Sequence, residues 1–372
     1  FKPNAVRSNV TEGFGERVVP VLKDCGLGSA DLNRAVRLTH YSLAGTVTTW
    51  KAGLSYEPIP DIRIRIVRSR DIRAPSISEG FAPGSTQAVD VIVPNSAPNL
   101  YTPGTFRVTM VTNGNPTLTP EIADTLSLGA IFKPRFFPGF SASVDYYNIR
   151  VKDAIQQLAQ NDIVTLCYAG VSTACGLITA DGSKTITQIT RVPINVASIR
   201  VRGIDFDASY RTSLGTILPG SVNLRFIATR SLNYTLNTGV TTTEYAGMNG
   251  GPLSTISAPK WRTYTTIGYD GDRLSLTGTM RTISQGVYSN SWKRGVDIDD
   301  NTIKGATYFD LAGSYKIMGD RSKYIEAYFK IDNLLDKAPP VAAQNVSSAL
   351  QTNPILYDVI GRSYRIGIRL RY

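Results

Sequence analysis

Histidine is nearly absent from this chain: His40 is the only one in 372 residues, alongside three cysteines and four methionines. A Ser-His-Asp hydrolase would have to be built around His40, which stands near no nucleophile motif, so no enzymatic activity is expected. Two-histidine metal sites are excluded within the chain, and no resident metal or other cofactor is expected. No Walker or dinucleotide glycine pattern lies between a strand and a helix. No run of about 18 apolar residues occurs, which excludes a transmembrane helix. A membrane barrel is not excluded, because its strands are short and only half apolar. The chain starts at Phe1 with no charged-then-apolar leader, so the expectation is a processed protein or the C-terminal part of a longer one.

Charge of one sign is not concentrated anywhere. Lys and Arg number 40 against 29 Asp and Glu, a formal net charge of +11. The cations recur singly between apolar residues, as in Arg63 and Arg65 or Arg369 and Arg371. That pattern suits a polar lumen or a solvent face, and no nucleic-acid partner is expected.

What the chain has is alternation. Tyr364, Ile366, Ile368, Leu370 and Tyr372 share one face of the last segment, and Arg365, Arg369 and Arg371 the other. A soluble sheet would put the apolar face on a core; an outer-membrane barrel would turn it to lipid. The 19 Tyr and 32 Gly suit strands and turns.

Period-two segments predict thirteen strands: 11–22, 32–41, 48–56, 61–70, 122–132, 140–151, 198–211, 221–233, 261–269, 273–282, 308–317, 324–333 and 363–372. No helical stripe with caps stands out between them. From the third strand onward, short connections alternate with long ones (71–121, 152–197, 234–260, 283–307 and 334–362), the latter read as loops rich in Gly, Pro, Ser, Thr and Asn. In a meander this gathers every long loop at one end, the layout of an outer-membrane barrel. A soluble β-rich binding protein, such as a lectin sandwich, has no reason to sort its loops so.

Cys167 and Cys175 bracket CYAGVSTAC, a loop able to close through a disulfide in an oxidising compartment; the alternative is two unpaired thiols. Cys25 is left over near a turn.

Seven stretches in order carry a family resemblance: VRSRDIRAPSISEGF (67–81), NPTLTPEIADTLSLGAIFKP (115–134), FPGFSASVDYYNIRVKDAI (137–155), PKWR (259–262), YFDLAGSYKI (308–317), FKIDNLLDKAPP (329–340) and YDVIGRSYRIGIRLRY (357–372). From about Ala35 to its end the chain resembles the TonB-dependent outer-membrane receptors. One departure is Gly80, which separates Glu79 from Phe81 in the family's Glu-aromatic pair. The resemblance implies a barrel of about twenty-two strands closed by an N-terminal plug. Residues 1–372 would then be an all-β antiparallel meander, the C-terminal portion of a transmembrane β-barrel. The plug, which carries the TonB box, and about nine first strands are expected to be missing. It further implies a Gram-negative outer membrane and TonB-dependent import of a scarce solute, such as a ferric siderophore, cobalamin or a saccharide. The implied partners are the TonB complex (through the plug), the barrel-assembly machinery, outer-membrane lipid and lipopolysaccharide, and a small solute ligand. A passive porin or an outer-membrane barrel enzyme is the alternative within the membrane.

The candidate ligand or rim residues are Arg68, Arg70, Asp71, Arg73 and Glu79, where a strand passes into a long loop. They form either a charged lip for ligand or plug, or an ion-paired network fixing the loop. Tyr372 resembles the terminal aromatic read by the barrel-assembly machinery, or is an interfacial girdle tyrosine. Asp297, Asp299 and Asp300 read as a solvated acidic loop or a hard-cation site, the latter the less favoured.

Overall fold

Strands form wherever the sequence alternates, and the chain threads them in order. A computed structural model describes residues 6–96, 100–215, 219–250, 256–319, 323–342 and 351–371. Tyr372 and the middles of two short connections, 216–218 and 320–322, lie outside the described residues. The first elements are β1 (Val10–Cys25), β2 (Gly28–Tyr41), β3 (Gly45–Ile59), β4 (Ile62–Arg73) and the short helix α1 (Ile77–Phe81). Next come β5 (Ser85–Val93), β6 (Gly104–Thr112), β7 (Glu121–Phe132), β8 (Phe140–Gln157), α2 (Gln160–Tyr168) and α3 (Ser172–Cys175). Then follow β9 (Ile178–Ala180), β10 (Ile186–Arg191), β11 (Pro193–Ser213), β12 (Ser221–Asn237), β13 (Thr242–Glu244), β14 (Trp261–Asp270) and β15 (Leu274–Ile283). The last are β16 (Gly286–Val287), β17 (Thr302–Ile303), β18 (Ala306–Gly319), β19 (Tyr324–Asp332) and β20 (Ser363–Arg371).

One antiparallel wall runs β1-β2-β3-β4-β7-β8-β11-β12-β14-β15-β18-β19-β20, with β13 added to β12. Each of the thirteen expected strands is in it. Among the described residues β1 pairs only with β2 and β20 only with β19, so both edges are open. Such an edge has unpaired backbone groups, which hydrocarbon does not tolerate.

The two faces of the wall differ in kind. One carries Ile64, Ile66, Leu128, Val144, Leu224, Phe226, Ile267 and Tyr315, each with more than a third of its surface exposed, and on β20 Ile366 is 84% exposed and Ile368 68%. Among the described residues no second layer covers them. Buried apolar residues collect instead in the loops and at the strand ends beneath them: Val91, Val108, Ile163 and Ile189 in one cluster, Ile303, Tyr308 and Tyr357 in another. A sheet that leaves its apolar face bare while its loops hold the packed cores is built for lipid as the second layer.

The other face is polar and laced across strands. Arg369 of β20 donates to Glu326 of β19 at 2.8 Å, Arg281 of β15 to Asp310 of β18, and Arg225 of β12 to Asp207 of β11. Arg65 of β4 reaches over β7 to Asp145 of β8 at 2.6 Å. The register puts Gly129 directly between them, and a Cβ there would stand 2.0 Å from the Asp145 carboxylate. Glycine is what lets the pair span three strands.

Two expectations are corrected. The connections 71–121 and 152–197 are not plain loops but jointly build a four-stranded sheet, β5-β6-β10-β9, in which β10 and β6 pair in parallel. Val89, Val91 and Val93 alternate in β5, but their Gly- and Pro-rich surroundings masked the signal. Helices also exist: α1 carries a full capping box between Ser76 and Glu79, while α2 packs Ile163, Val164 and Leu166 on the module core. Both are too short to repeat a 3.6-residue stripe. Cys167 and Cys175 are bonded there, S–S 2.03 Å.

Candidate functional site

The long loops and the polar face meet at a rim where β4 ends. Strand alternation divides the five candidate residues. Asp71 and Arg73 share the polar face with Arg65, whereas Arg68 and Arg70 continue the apolar face of Ile64 and Ile66. They therefore do not make one charged lip.

Arg73 is the hub on the polar side. Its guanidinium donates to Glu79 at 2.9 Å and to Glu121 at 2.6 Å. Glu79 in turn accepts from the Ser76 backbone N–H at 2.7 Å, closing the capping box, and Glu121 accepts from the Ile155 N–H at 2.7 Å. One arginine thus ties β4, α1, β7 and β8. Burial by itself would raise the Glu79 carboxyl, but the hydrogen bonds from Arg73 and Ser76 overcome it and hold the group below its ordinary value. Asp71 accepts from Ser69 Oγ at 2.9 Å. Arg70 grips Asp124 through two bonds, at 2.9 and 3.1 Å.

The Glu79 linkage has a definite sign. A lowered folded pKa stabilises the rim above the ordinary glutamate value, about 4.3. That contribution is lost as pH falls through the lowered folded value. Glu79→Gln should cost about 1 kcal/mol of local stability, the usual worth of a cap. Proteolysis of the 74–82 segment should then be faster in the variant at pH 7. It should converge with the unsubstituted rate in acid.

A second cluster of loops is held by asparagines. Asn249, Asn333 and Asn353 have no exposed surface. Asn249 donates to the Ser284 carbonyl at 2.7 Å and to Tyr357 Oη at 3.0 Å; Asn353 donates to the Asn249 carbonyl at 2.8 Å. These loops are therefore fixed on one another before any ligand arrives.

The acidic loop closes on itself: Asp297 accepts from the Lys293 N–H and Asp300 from the Thr302 N–H. Among the described residues no group of three His, Cys, Asp or Glu side chains is placed to hold a metal. Sequence reasoning missed the acidic partners Glu121, Asp124, Asp145, Asp207, Asp310 and Glu326. Their signal, a carboxylate at period two on a neighbouring strand, becomes legible only once the register is known.

A polar-faced, apolar-backed meander with its loops assembled at one end is the wall of an outer-membrane barrel. The family model described as TonB dependent receptor-like, beta-barrel, matches residues 27–334, and the chain belongs to that family. The family is one of receptors and transporters of the Gram-negative outer membrane. No curated protein matches the sequence. Among solved structures it resembles the siderophore receptor PirA from Acinetobacter baumannii, at 13% identity over 98% of this chain and 46% of that one, TM-score 0.64. It also resembles the ferric enterobactin receptor PfeA from Pseudomonas aeruginosa, solved with enterobactin, at 15% identity over 97% and 45%, TM-score 0.63. A third likeness is to the copper transporter OprC, at 14% identity over 98% and 48%, TM-score 0.56. The chain spans a little under half the length of these relatives.

Proposed function

We propose that residues 1–372 are the C-terminal, loop-bearing part of the barrel of a ligand-gated receptor that imports a scarce solute in a TonB-dependent manner. The family match over 27–334 is the observation that carries this reading. Two features support it: the chain accounts for less than half of each solved relative, and its wall has two open edges that further strands would close. A plug in the missing part would contact TonB and gate the lumen. The loops clipped by Arg73 and by the asparagine cluster would form the outer vestibule, and the paired charges of the polar face would line the path. The solute class we favour is a ferric siderophore, with cobalamin and saccharides next; two of the relatives are described as siderophore or ferric enterobactin receptors. Tyr372 would serve barrel assembly.

The test is uptake of labelled ferric siderophores, cobalamin and oligosaccharides by cells carrying the full-length receptor, with and without functional TonB. Uptake of one solute that disappears without TonB is the expected result. Uptake that persists without TonB would make the protein a passive channel.

A further inference from the structure

The four-stranded sheet of the loop module has two edges, and they are built differently. β9 forms one of them. It is three residues long, and its pairing with β10 is broken by a register shift. Short, irregular edges of this kind resist further pairing. β5 forms the other edge, nine residues long and antiparallel to β6 without a register shift from Ser85 to Val93. Pro83 and Pro94 stand just outside β5, none lies within it, and it carries no lysine or arginine. The devices that usually blunt an edge are therefore missing from its middle. Its sole pairing partner among the described residues is β6.

Which backbone groups of β5 are free follows from the register. Successive residues of an antiparallel strand point their N–H and C=O alternately at the neighbour and away from it. The Ile92 N–H donates to Asn161 Oδ1 at 3.0 Å, and the Asp90 carbonyl accepts from Gln160 Nε2 at 3.4 Å, both from α2. Asp90 and Ile92 therefore face away from β6, and by the same alternation so do Thr86 and Ala88. α2 covers the Val93 end of the edge and stops there. The N–H and C=O groups of Thr86 and Ala88, and the Asp90 N–H, have no partner among the described residues. Thr86 and Ala88 are exposed and small, so their side chains hold no other backbone away. The core is open at the same place: Val91, Val93, Val108 and Met110 are buried, whereas Val89 is only half-buried. On the opposite side of the sheet Asp90 is paired with Arg107 at 3.0 Å, which leaves no unpaired charge along β5.

We infer that β5, from Thr86 to Asp90, is a docking edge for an extended segment of a second polypeptide, added as a further strand of the module sheet. The chemistry that fits is a backbone. Donors and acceptors repeat along the edge about every 7 Å, and another extended chain meets them one for one. A small solute spans a single repeat, and a glycan lacks the alternation of N–H and C=O. The open core at Val89 adds a side-chain rule. The partner has apolar or β-branched residues at every second position, on the face of Val89, and small or polar ones beside Thr86 and Ala88. About five residues span the free stretch. A second copy pairing β5 with β5 about Ala88 would need the Asp90 carbonyl, which Gln160 already engages. The inference rests on the loops facing outward, as proposed above, and not on which solute is imported.

The experiment uses the full-length receptor in non-ionic detergent and a labelled synthetic peptide with the sequence of Thr105–Thr112, TFRVTMVT. That sequence has the needed alternation and already pairs with β5 from its other side. Two versions are compared by fluorescence anisotropy, N-methylated at alternate residues in the two possible phases. Methylation of the residues facing β5 removes their donors, while methylation of the other set leaves those donors intact and keeps the peptide from pairing with itself. One version should bind, and the other about tenfold more weakly or worse. Ala88→Pro removes an outward donor without taking a ladder bond from β6, and should weaken the binding version about tenfold. Thr109→Ala, on the polar side of β6, should change nothing. If Ala88→Pro does not fold, Ala88→Lys decides, by placing a long charged side chain on the edge, with about a fivefold loss or more expected. Equal binding of the two versions, binding by neither, or binding indifferent to the substitutions at Ala88 overturns the inference. A receptor dimer that Ala88→Pro dissociates would assign the edge to a second copy and overturn it as well. The readout involves neither TonB nor uptake, so this inference and the import reading can fail separately.

Discussion

Leu224→Arg should destabilise the full-length barrel by about 1–2 kcal/mol when unfolding is measured reversibly in a lipid bilayer, the cost of placing a cation on the lipid face between the midplane and the turn-side interface, since Leu224 lies three residues into β12. Leu224 lies between Val222 and Phe226 on β12, flanked across the sheet by Tyr210 and Ile267, and is 41% exposed in the structure. Nothing nearby can pair with the new charge. Ser143→Arg is the matching control on the polar face, where Ser143 is opposed to Asp207 of β11. It should change stability by less than about 0.5 kcal/mol, as an exposed ion pair would. The difference between the two measures which face meets lipid. Equal effects would mean that the apolar face is covered by protein.

Removing the bond between Cys167 and Cys175, by Cys175→Ala or by reduction, should cost the loop module about 2.5 kcal/mol. This figure is the chain-entropy estimate for closing a loop of nine residues. The module has a small core, Val91, Val108, Ile163, Val164, Ile186 and Ile189, so a loss of that size is large for it. Amide exchange should accelerate about seventyfold across α2, α3 and β10. The wall strands β14, β15, β18, β19 and β20 should not respond, because among the described residues none of theirs packs on the module core, whereas β11 reaches it through Ile194 and Val196. Acceleration spread evenly over wall and module would mean that the two unfold together.

The thirteen wall strands were legible because alternation is a local property. Tyr364 to Leu370 show it without reference to any other part of the chain. Sorting of short and long connections was equally legible, and with it the barrel class. The ends of strands were less so. β8 runs on to Gln157 and β11 begins at Pro193, beyond the expected Val151 and Ser198, because Lys152, Asp153, Gln156 and Gln157 break the alternation of β8 and the β11 extension starts on a proline and is apolar on both faces, with Ile194, Val196 and Ala197. The loop module escaped notice for another reason: β6 and β10 are some 80 residues apart in the chain and form a sheet only by meeting each other.

The candidate rim residues show where local reading stops. Proximity in the sequence groups them as one rim cluster, whereas alternation along β4 puts Arg68 and Arg70 on the face of Ile64 and Ile66, and Arg73 on the face of Arg65. What each arginine meets depends on register: Arg73 finds Glu121, Arg70 finds Asp124, and Arg150 is set against Arg200. The sequence by itself determined an alternating, antiparallel all-β wall with its long loops at one end, since side-chain direction follows from backbone geometry residue by residue. The tertiary structure alone decided which charges are paired, which stand opposite a like charge on the next strand, and how the loops pack. Those outcomes depend on contacts between segments tens to hundreds of residues apart, which no short window of sequence contains.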